Sequence, residues 1–236
     1  MIKNTFAEKV ISFNKSLQLT AKLPPNIGVM NPFAENEKAL QTSSQFYRKF
    51  YNDNKGRKLL VGINPGRFGA GITGIPFTDS KRMKEFCGLD IEGIKTYELS
   101  AVFVYDVIEA YGGAEAFYED VYISSVCPLG FVIRDARGKE KNYNYYDSKA
   151  LQEAVTPFII KSIEAQLEFG IDRSTVFCMG SGKNFKFLNA LNKEKKFFGK
   201  IVPLEHPRYV MQYKLKSKQL YVDKYLQALG GEGFGV

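Results

Sequence analysis

Apolar residues along this chain fall into short runs separated by amphipathic stretches, the alternation expected of an α/β protein. Leu59, Leu60, Val61 and Ile63 form a run of the kind that fills a buried parallel strand. Val121–Cys127, Thr175–Met179 and Ile201–Leu204 read as three more strands. Helical spacing is expected over Thr5–Leu19, which Pro24-Pro25 ends, over Leu40–Tyr51, and from a cap at Thr78 or Asp79 through Cys87. Further helices are predicted at Val102–Ala110, with an extra turn at Ala114–Tyr118, and at Leu151–Phe169, which Pro157 is placed to kink. Another begins at Gly180-Ser181-Gly182-Lys183 and runs through Leu191. The last covers Lys214–Leu229 and packs Leu215, Tyr221, Val222, Tyr225, Leu226 and Leu229 on the core. Phe131–Arg134 and Lys139–Tyr145 flank the turn Asp135-Ala136-Arg137-Gly138 as a hairpin, and only Gly230–Val236 reads as loose. These elements make one domain over residues 1–236, a three-layer α/β/α arrangement around a four-stranded parallel sheet.

The chemistry concentrates after the first strand. Leu59–Ile63 stops at Asn64-Pro65-Gly66, and Gly66, Gly69, Gly71 and Gly74 follow, with Pro76 and Phe77 at the end. A glycine-rich loop at the carboxyl end of a buried strand is where open α/β sheets bind ligands. The spacing is not that of a phosphate loop, since no G-x-x-x-x-G-K-[ST] occurs here. Gly180-Ser181-Gly182-Lys183 fails the same pattern, because Phe177 and Asn184 stand at its two ends; Lys183 at a helix N-terminus could still hold a DNA phosphate. What remains at the first loop is a polar amide, Asn64, and an aromatic ring, Phe77, a pair suited to a flat polar ligand.

Charge narrows the ligand further. The 236 residues include 33 Lys plus Arg against 25 Asp plus Glu, a net charge of +8, which favours an anionic partner such as nucleic acid. Cys87, Cys127 and Cys178 are widely spaced, so neither a disulfide framework nor a metal site is indicated, and no metal or cofactor is expected. Met1–Ala7 lacks the apolar centre of a signal peptide and no apolar run is long enough to span a bilayer. The expectation is a reduced, cytoplasmic protein, nucleoid-associated when bound to DNA, without a membrane or obligate protein partner and monomeric.

The run G-I-N-P-G-R-F-G-A-G-I-T-G-I-P-F from Gly62 to Phe77 resembles motif 1 of the single-strand-selective monofunctional uracil-DNA glycosylases, the SMUG family of the uracil-DNA glycosylase superfamily. That motif runs roughly G-M-N-P-G-P-F-G-x-x-x-T-G-V-P-F. The family's second motif begins H-P-S-P, and the only histidine of this chain opens His206-Pro207-Arg208-Tyr209. Val29-Met30-Asn31-Pro32-Phe33 is similar to a segment that precedes motif 1 in the family. Arg67 replaces a proline of motif 1 and H-P-R-Y replaces H-P-S-P, which marks a divergent, bacterial-type branch.

The resemblance implies a uracil-DNA glycosylase-like fold and a monofunctional DNA glycosylase that hydrolyses the N-glycosidic bond of uracil in DNA, without strand cleavage, in base excision repair. It implies that Asn64 positions the attacking water and that His206 donates to O2 of the leaving base. Phe77, or Phe68, supplies the stacking face. Asn144 reads the base edge, with Asn142 close enough to compete, and Gly66 leaves room for 5-substituted or otherwise deaminated bases. Asp79 matches an acidic place of the family and reads as a helix cap or a base. Arg208, Tyr209, Val210, Met211, Tyr213, Lys214, Lys216 and Lys218 interleave apolar and cationic groups, as an element that fills a vacated base stack and grips phosphates would. The competing expectations are a catalytically inactive nucleic-acid-binding relative and a hydrolase of free nucleosides, the latter having no need of the positive surface.

Overall fold

The computed structural model describes residues 4–91 and 93–230. Its centre is a parallel sheet of four strands in the order β3-β2-β6-β7, where β2 is Arg57–Gly62, β3 Val121–Ser125, β6 Ile171–Met179 and β7 Lys200–Leu204. A smaller antiparallel sheet has the order β1-β4-β5, from Ile27–Met30, Gly130–Arg134 and Glu140–Tyr143. The helices are α1 (Phe6–Ser16), α2 (Pro32–Glu35), α3 (Glu37–Phe50), α4 (Ala70–Thr73), α5 (Ser80–Cys87), α6 (Leu99–Ala110) and α7 (Ala114–Asp120). They continue with α8 (Lys149–Leu167), α9 (Lys183–Lys195), α10 (Pro207–Tyr213) and α11 (Lys218–Leu229). The helices flank the parallel sheet, so the predicted α/β architecture holds.

The four predicted strands are the four strands of the central sheet, and the predicted hairpin is β4-β5. Differences lie where hydrophobic periodicity carries no information. Helix α3 begins at Glu37 instead of Leu40, because Asn36 caps it by accepting from the Ala39 N–H at 3.2 Å while the first turn is polar. Strand β6 starts at Ile171 instead of Thr175. It pairs Ile171 and Asp172 with Arg57 and Lys58, then skips to Val176 opposite Leu59, so Arg173, Ser174 and Thr175 drop out of the ladder with β2. Strand β1 was not legible as a strand: it is four half-exposed residues paired to one edge of β4.

The C-terminal prediction needs correction. The expected helix Lys214–Leu229 is broken: α10 follows His206 directly, Leu215–Ser217 form a single 3-10 turn, and α11 starts at Lys218. Leu215, expected on the core, is 59% exposed in that turn. Gly230 closes α11 in the left-handed conformation, and the remainder of the predicted loose tail, residues 231–236, lies outside the described residues.

At the amino end of β2, away from the glycine loop, Arg57 is fully buried. Its guanidinium lies between the rings of Phe6 and Tyr51, at 4.9 and 4.7 Å. It donates to both carboxylate oxygens of Asp53 and to the carbonyls of Tyr118 and Phe50, so a charge that would be costly alone is satisfied on every side. The arginine holds its carboxylate partner below the ordinary value through those hydrogen bonds. Arg57→Met strands two buried carbonyls and one carboxylate. Asp53 can turn to solvent, so the loss is expected at about 3 kcal/mol, the low end for a broken buried pair. Urea denaturation checks this; an unchanged midpoint would show that the pair contributes nothing net.

Candidate active site

Parallel pairing brings the carboxyl ends of β2, β6 and β7 to one edge of the sheet, and with them Asn64, the Gly180–Lys183 turn and His206. They line a single cavity of about 330 Å³, with Gly66, Phe77, Asn142, Asn144 and Arg208. The two predicted motifs, far apart in sequence, therefore meet.

Asn64 is a bracket between loop and hairpin. Its Oδ1 accepts from the Tyr145 N–H at 3.1 Å, and its Nδ2 donates to the Tyr143 and Pro65 carbonyls at 3.3 Å each. Backbone partners of opposite polarity thus dictate which way the amide faces. One acceptor lone pair remains free on Oδ1, enough to hold one water. The strand leading to it is held as far as Ile63, because Val126 and Cys127 donate to the Gly62 and Ile63 carbonyls.

Phe77 reaches the cavity because of a glycine. A Cβ on Gly62 would fall 2.7 Å from the Phe77 ring, so only a residue without a side chain lets that ring lie over the end of β2. Phe77 itself adopts φ of 52°, a left-handed conformation unusual for a bulky residue, and such strain collects at functional positions. The ring centroid stands 5.9 Å from that of His206.

His206 is the N-cap residue of α10, and its Nδ1 accepts from the Arg208 N–H at 3.1 Å. The proton of the neutral ring is therefore on Nε2, which becomes a donor. Burial, aided by the positive charge of Arg208, pulls the imidazole from its ordinary value near 6.5 down to about 4. At neutral pH the ring is an uncharged donor with a dictated tautomer.

The hairpin asparagines are each half engaged. Asn142 Oδ1 accepts from the Arg67 N–H at 3.0 Å, leaving Nδ2 free, whereas Asn144 Nδ2 leans on Asp147 at 3.5 Å, leaving Oδ1 free. Both line the cavity. Lys183 lines it too, with its ammonium 5.9 Å from the Tyr146 ring.

Several expected site residues stand elsewhere. Phe68 is 56% exposed beneath the Arg67 guanidinium and does not line the cavity. Val210 is fully buried and anchors α10, Met211 packs against the core, and Lys214 is exposed beyond the cavity lining. The exposed aromatic pair of this helix is Tyr209 with Tyr213, 5.6 Å apart, because helical geometry turns those two positions outward together. Asp79 is fully buried; it caps α5 by accepting from the Arg82 N–H at 2.8 Å, pairs with the Arg82 guanidinium, and accepts from the Glu98 N–H at 2.8 Å. It is a cap and a brace that does not line the cavity.

Two residues of the cavity carried no sequence signal. Asn184, nearly fully buried, donates to the Gly62 and Met179 carbonyls and accepts from the Tyr145 hydroxyl at 2.8 Å, joining β2, β6 and the hairpin exit. Glu98 precedes α6, where an acid is an ordinary helix-start residue, yet its carboxyl lines the cavity. Burial, reinforced by the charge of Asp79 and opposed by that of Arg208, raises it from about 4.5 to about 7.

The family model described as Uracil DNA glycosylase superfamily matches residues 48–230. Among solved structures, the chain is similar to wild-type SMUG2 of Pedobacter heparinus, with 57% identity over 98% of each chain and a TM-score of 0.94. No curated protein matches it.

Two measurements check the electrostatics. Imidazole nitrogen-15 spectra near pH 6 are expected to show His206 neutral with its proton on Nε2; a charged ring there contradicts the burial argument. Glu98 is raised by folding, so its ionisation opposes folding: the penalty is absent below about 4.5 and complete above about 7. Glu98→Gln is accordingly expected to melt higher than wild type near pH 8 and to converge with it near pH 4.

Proposed function

The chain belongs to the uracil-DNA glycosylase superfamily, and from that premise we propose that it is a monofunctional DNA glycosylase that hydrolyses the N-glycosidic bond of uracil in DNA. The observation that carries this reading is the neutral, Nε2-protonated His206 facing the same cavity as Asn64 and Phe77.

Hydrolysis of this bond leaves negative charge on the departing pyrimidine and requires a water at the sugar carbon. His206 Nε2–H donates to O2 as that charge develops. A neutral donor is suited to the task because it strengthens with the developing anion and costs no proton; one such group contributes roughly 3–4 kcal/mol. Asn64 Oδ1 holds the water through its remaining lone pair, an orienting role, since an amide takes no proton near neutral pH.

The base lies on Phe77. Asn142 Nδ2 donates to O4 and Asn144 Oδ1 accepts from N3–H, so two asparagines share the reading that sequence assigns to one. Cytosine presents the opposite polarity at both atoms, a donor to a donor and an acceptor to an acceptor, and is rejected on that account. The partners that hold each amide, the Arg67 N–H and Asp147, keep the discrimination from being lost by rotation. Near Gly66 the wall is polar, since Glu98 Oε1 and Asn142 Nδ2 lie 3.4 and 3.7 Å from where a Cβ would stand. That wall suits bases carrying a polar substituent better than one carrying methyl.

DNA approaches across α10. Tyr209 and Tyr213 replace stacking lost when the nucleotide leaves the helix, a cost of a few kcal/mol that is least in single strands, while Arg208, Lys183 and Lys214 meet phosphates.

Uracil-containing single- and double-stranded oligonucleotides, treated with alkali after incubation, are expected to show cleavage at the uracil position. Asn64→Ala and His206→Ala each lower the single-turnover rate by about 100-fold or more, with binding changed only a few-fold. Binding without product in wild type would instead identify a catalytically silent DNA-binding relative, and release from free nucleosides alone would identify a nucleoside hydrolase.

A further inference from the structure

Glu98 has no place in the chemistry so far, yet it contributes the only carboxyl group among the residues lining the cavity. Four observations single it out. Its position is built from behind: the Asp79 carboxylate accepts its backbone N–H at 2.8 Å, and Asp79 is itself fully buried and braced by Arg82. Its side chain occupies space that a side chain on Gly69 would take, because a Cβ there would overlap Glu98 Oε2. No hydrogen-bond donor reaches its oxygens among the described residues; the influences on it are burial, Asp79 and Arg208. Finally, Asn64 cannot take a proton, and both hydrogens of its amide are already committed.

A carboxyl group braced in a cavity wall, without a protein donor and with its oxygens open to the cavity, is placed to accept from a water there. We propose that Glu98 is a second catalytic side chain of the glycosylase reaction, accepting the proton of the attacking water; the inference rests on the reading of the preceding section. The step balances within the cavity. The bond from the sugar carbon to the base nitrogen breaks, and its electron pair leaves with the base as an anion that His206 stabilises. The water oxygen bonds to the same carbon, and its proton passes to a Glu98 oxygen. Solvent later protonates the base and recovers the carboxylate, so no further reactant is needed.

The charged groups around Glu98 act in known directions. Asp79, at the start of α5, opposes ionisation but is partly offset by its own pairing with Arg82; Arg208, from α10, favours ionisation. Arg67, on the glycine loop, is turned away and donates to the Glu140 carbonyl. The outcome is a carboxyl poised near 7, where a base serves best at neutral pH because it is both available and strong enough to take a proton.

The test is the single-turnover rate of uracil excision from pH 5 to 9 in wild type and Glu98→Gln. Wild type is expected to rise as pH passes about 7 and then level off. Glu98→Gln is expected to fall by about 100-fold and to lose that rise, with oligonucleotide binding within a few-fold of wild type. Glu98→Asp, which keeps the carboxylate but withdraws it, is expected to retain the pH rise at a reduced rate. A Gln variant with wild-type rate and profile overturns the role of Glu98 and leaves the glycosylase reading intact. So does one that alters preference between uracil and 5-hydroxymethyluracil without altering the pH profile, since the side chain then reads the base. Wild type inactive on every uracil substrate overturns both. Melting of each variant near pH 4, where the wild-type carboxyl is protonated, separates loss of fold from loss of chemistry.

Discussion

The pairing of β2 on both edges is the constraint from which the rest follows. A central strand has no free ladder, and this one stays tied past its nominal end, through the carbonyls of Gly62 and Ile63. The chain can leave the sheet only at Asn64, which delivers that amide to the exit of the β4-β5 hairpin. Asn184 secures the same junction from α9 by donating to Gly62 and accepting from Tyr145. The small antiparallel sheet, the glycine loop and the parallel sheet are therefore joined through two buried or half-buried amides. The cavity is what lies between the joined parts.

Charge is treated in opposite ways at the two ends of that strand. At the amino end, Arg57 is buried with a full set of acceptors and two aromatic faces, so its charge is retained and quiet. At the carboxyl end, His206 and Glu98 are drawn into the cavity wall, partly buried, with no ion pair among the described residues. Each moves toward its neutral form, the imidazole downward and the carboxyl upward. Arg208 stands near both, and its single charge assists the first shift and resists the second. Buried charge with a full set of partners belongs to the scaffold here, and titratable groups shifted toward neutrality line the cavity; such shifts cost stability, which a functional site bears and a core does not.

Much of the fold is legible from hydrophobic spacing because strand interiors and helix faces bury one-dimensional patterns. Leu59–Ile63 and Ile201–Leu204 are apolar runs that become strands, the first paired on both edges and the second on one. Where structure departs from expectation, the deciding contact is polar or remote. Asn36 starts α3 by a side-chain bond that hydropathy does not register, and Asp172–Ser174 extend β6 although they look like a turn. Leu215 fits an apolar helical stripe by spacing but loses its seat because the chain spends α10 and a 3-10 turn before α11 begins.

The sequence alone determined the residue types of the site and their order: an amide after a buried strand, glycines, an aromatic ring, and a lone histidine before a proline. Those are local properties, set by turn chemistry and by a motif short enough to read. Only the tertiary structure decided which of them share one cavity. It showed that His206 carries its proton on Nε2, that Asn142 and Asn144 are left with complementary halves, that Phe68 and Val210 stand outside, and that Glu98 comes in. The reason is physical: tautomer, amide orientation and carboxyl ionisation depend on groups close in space, and those groups lie from two to about 110 residues away along the chain.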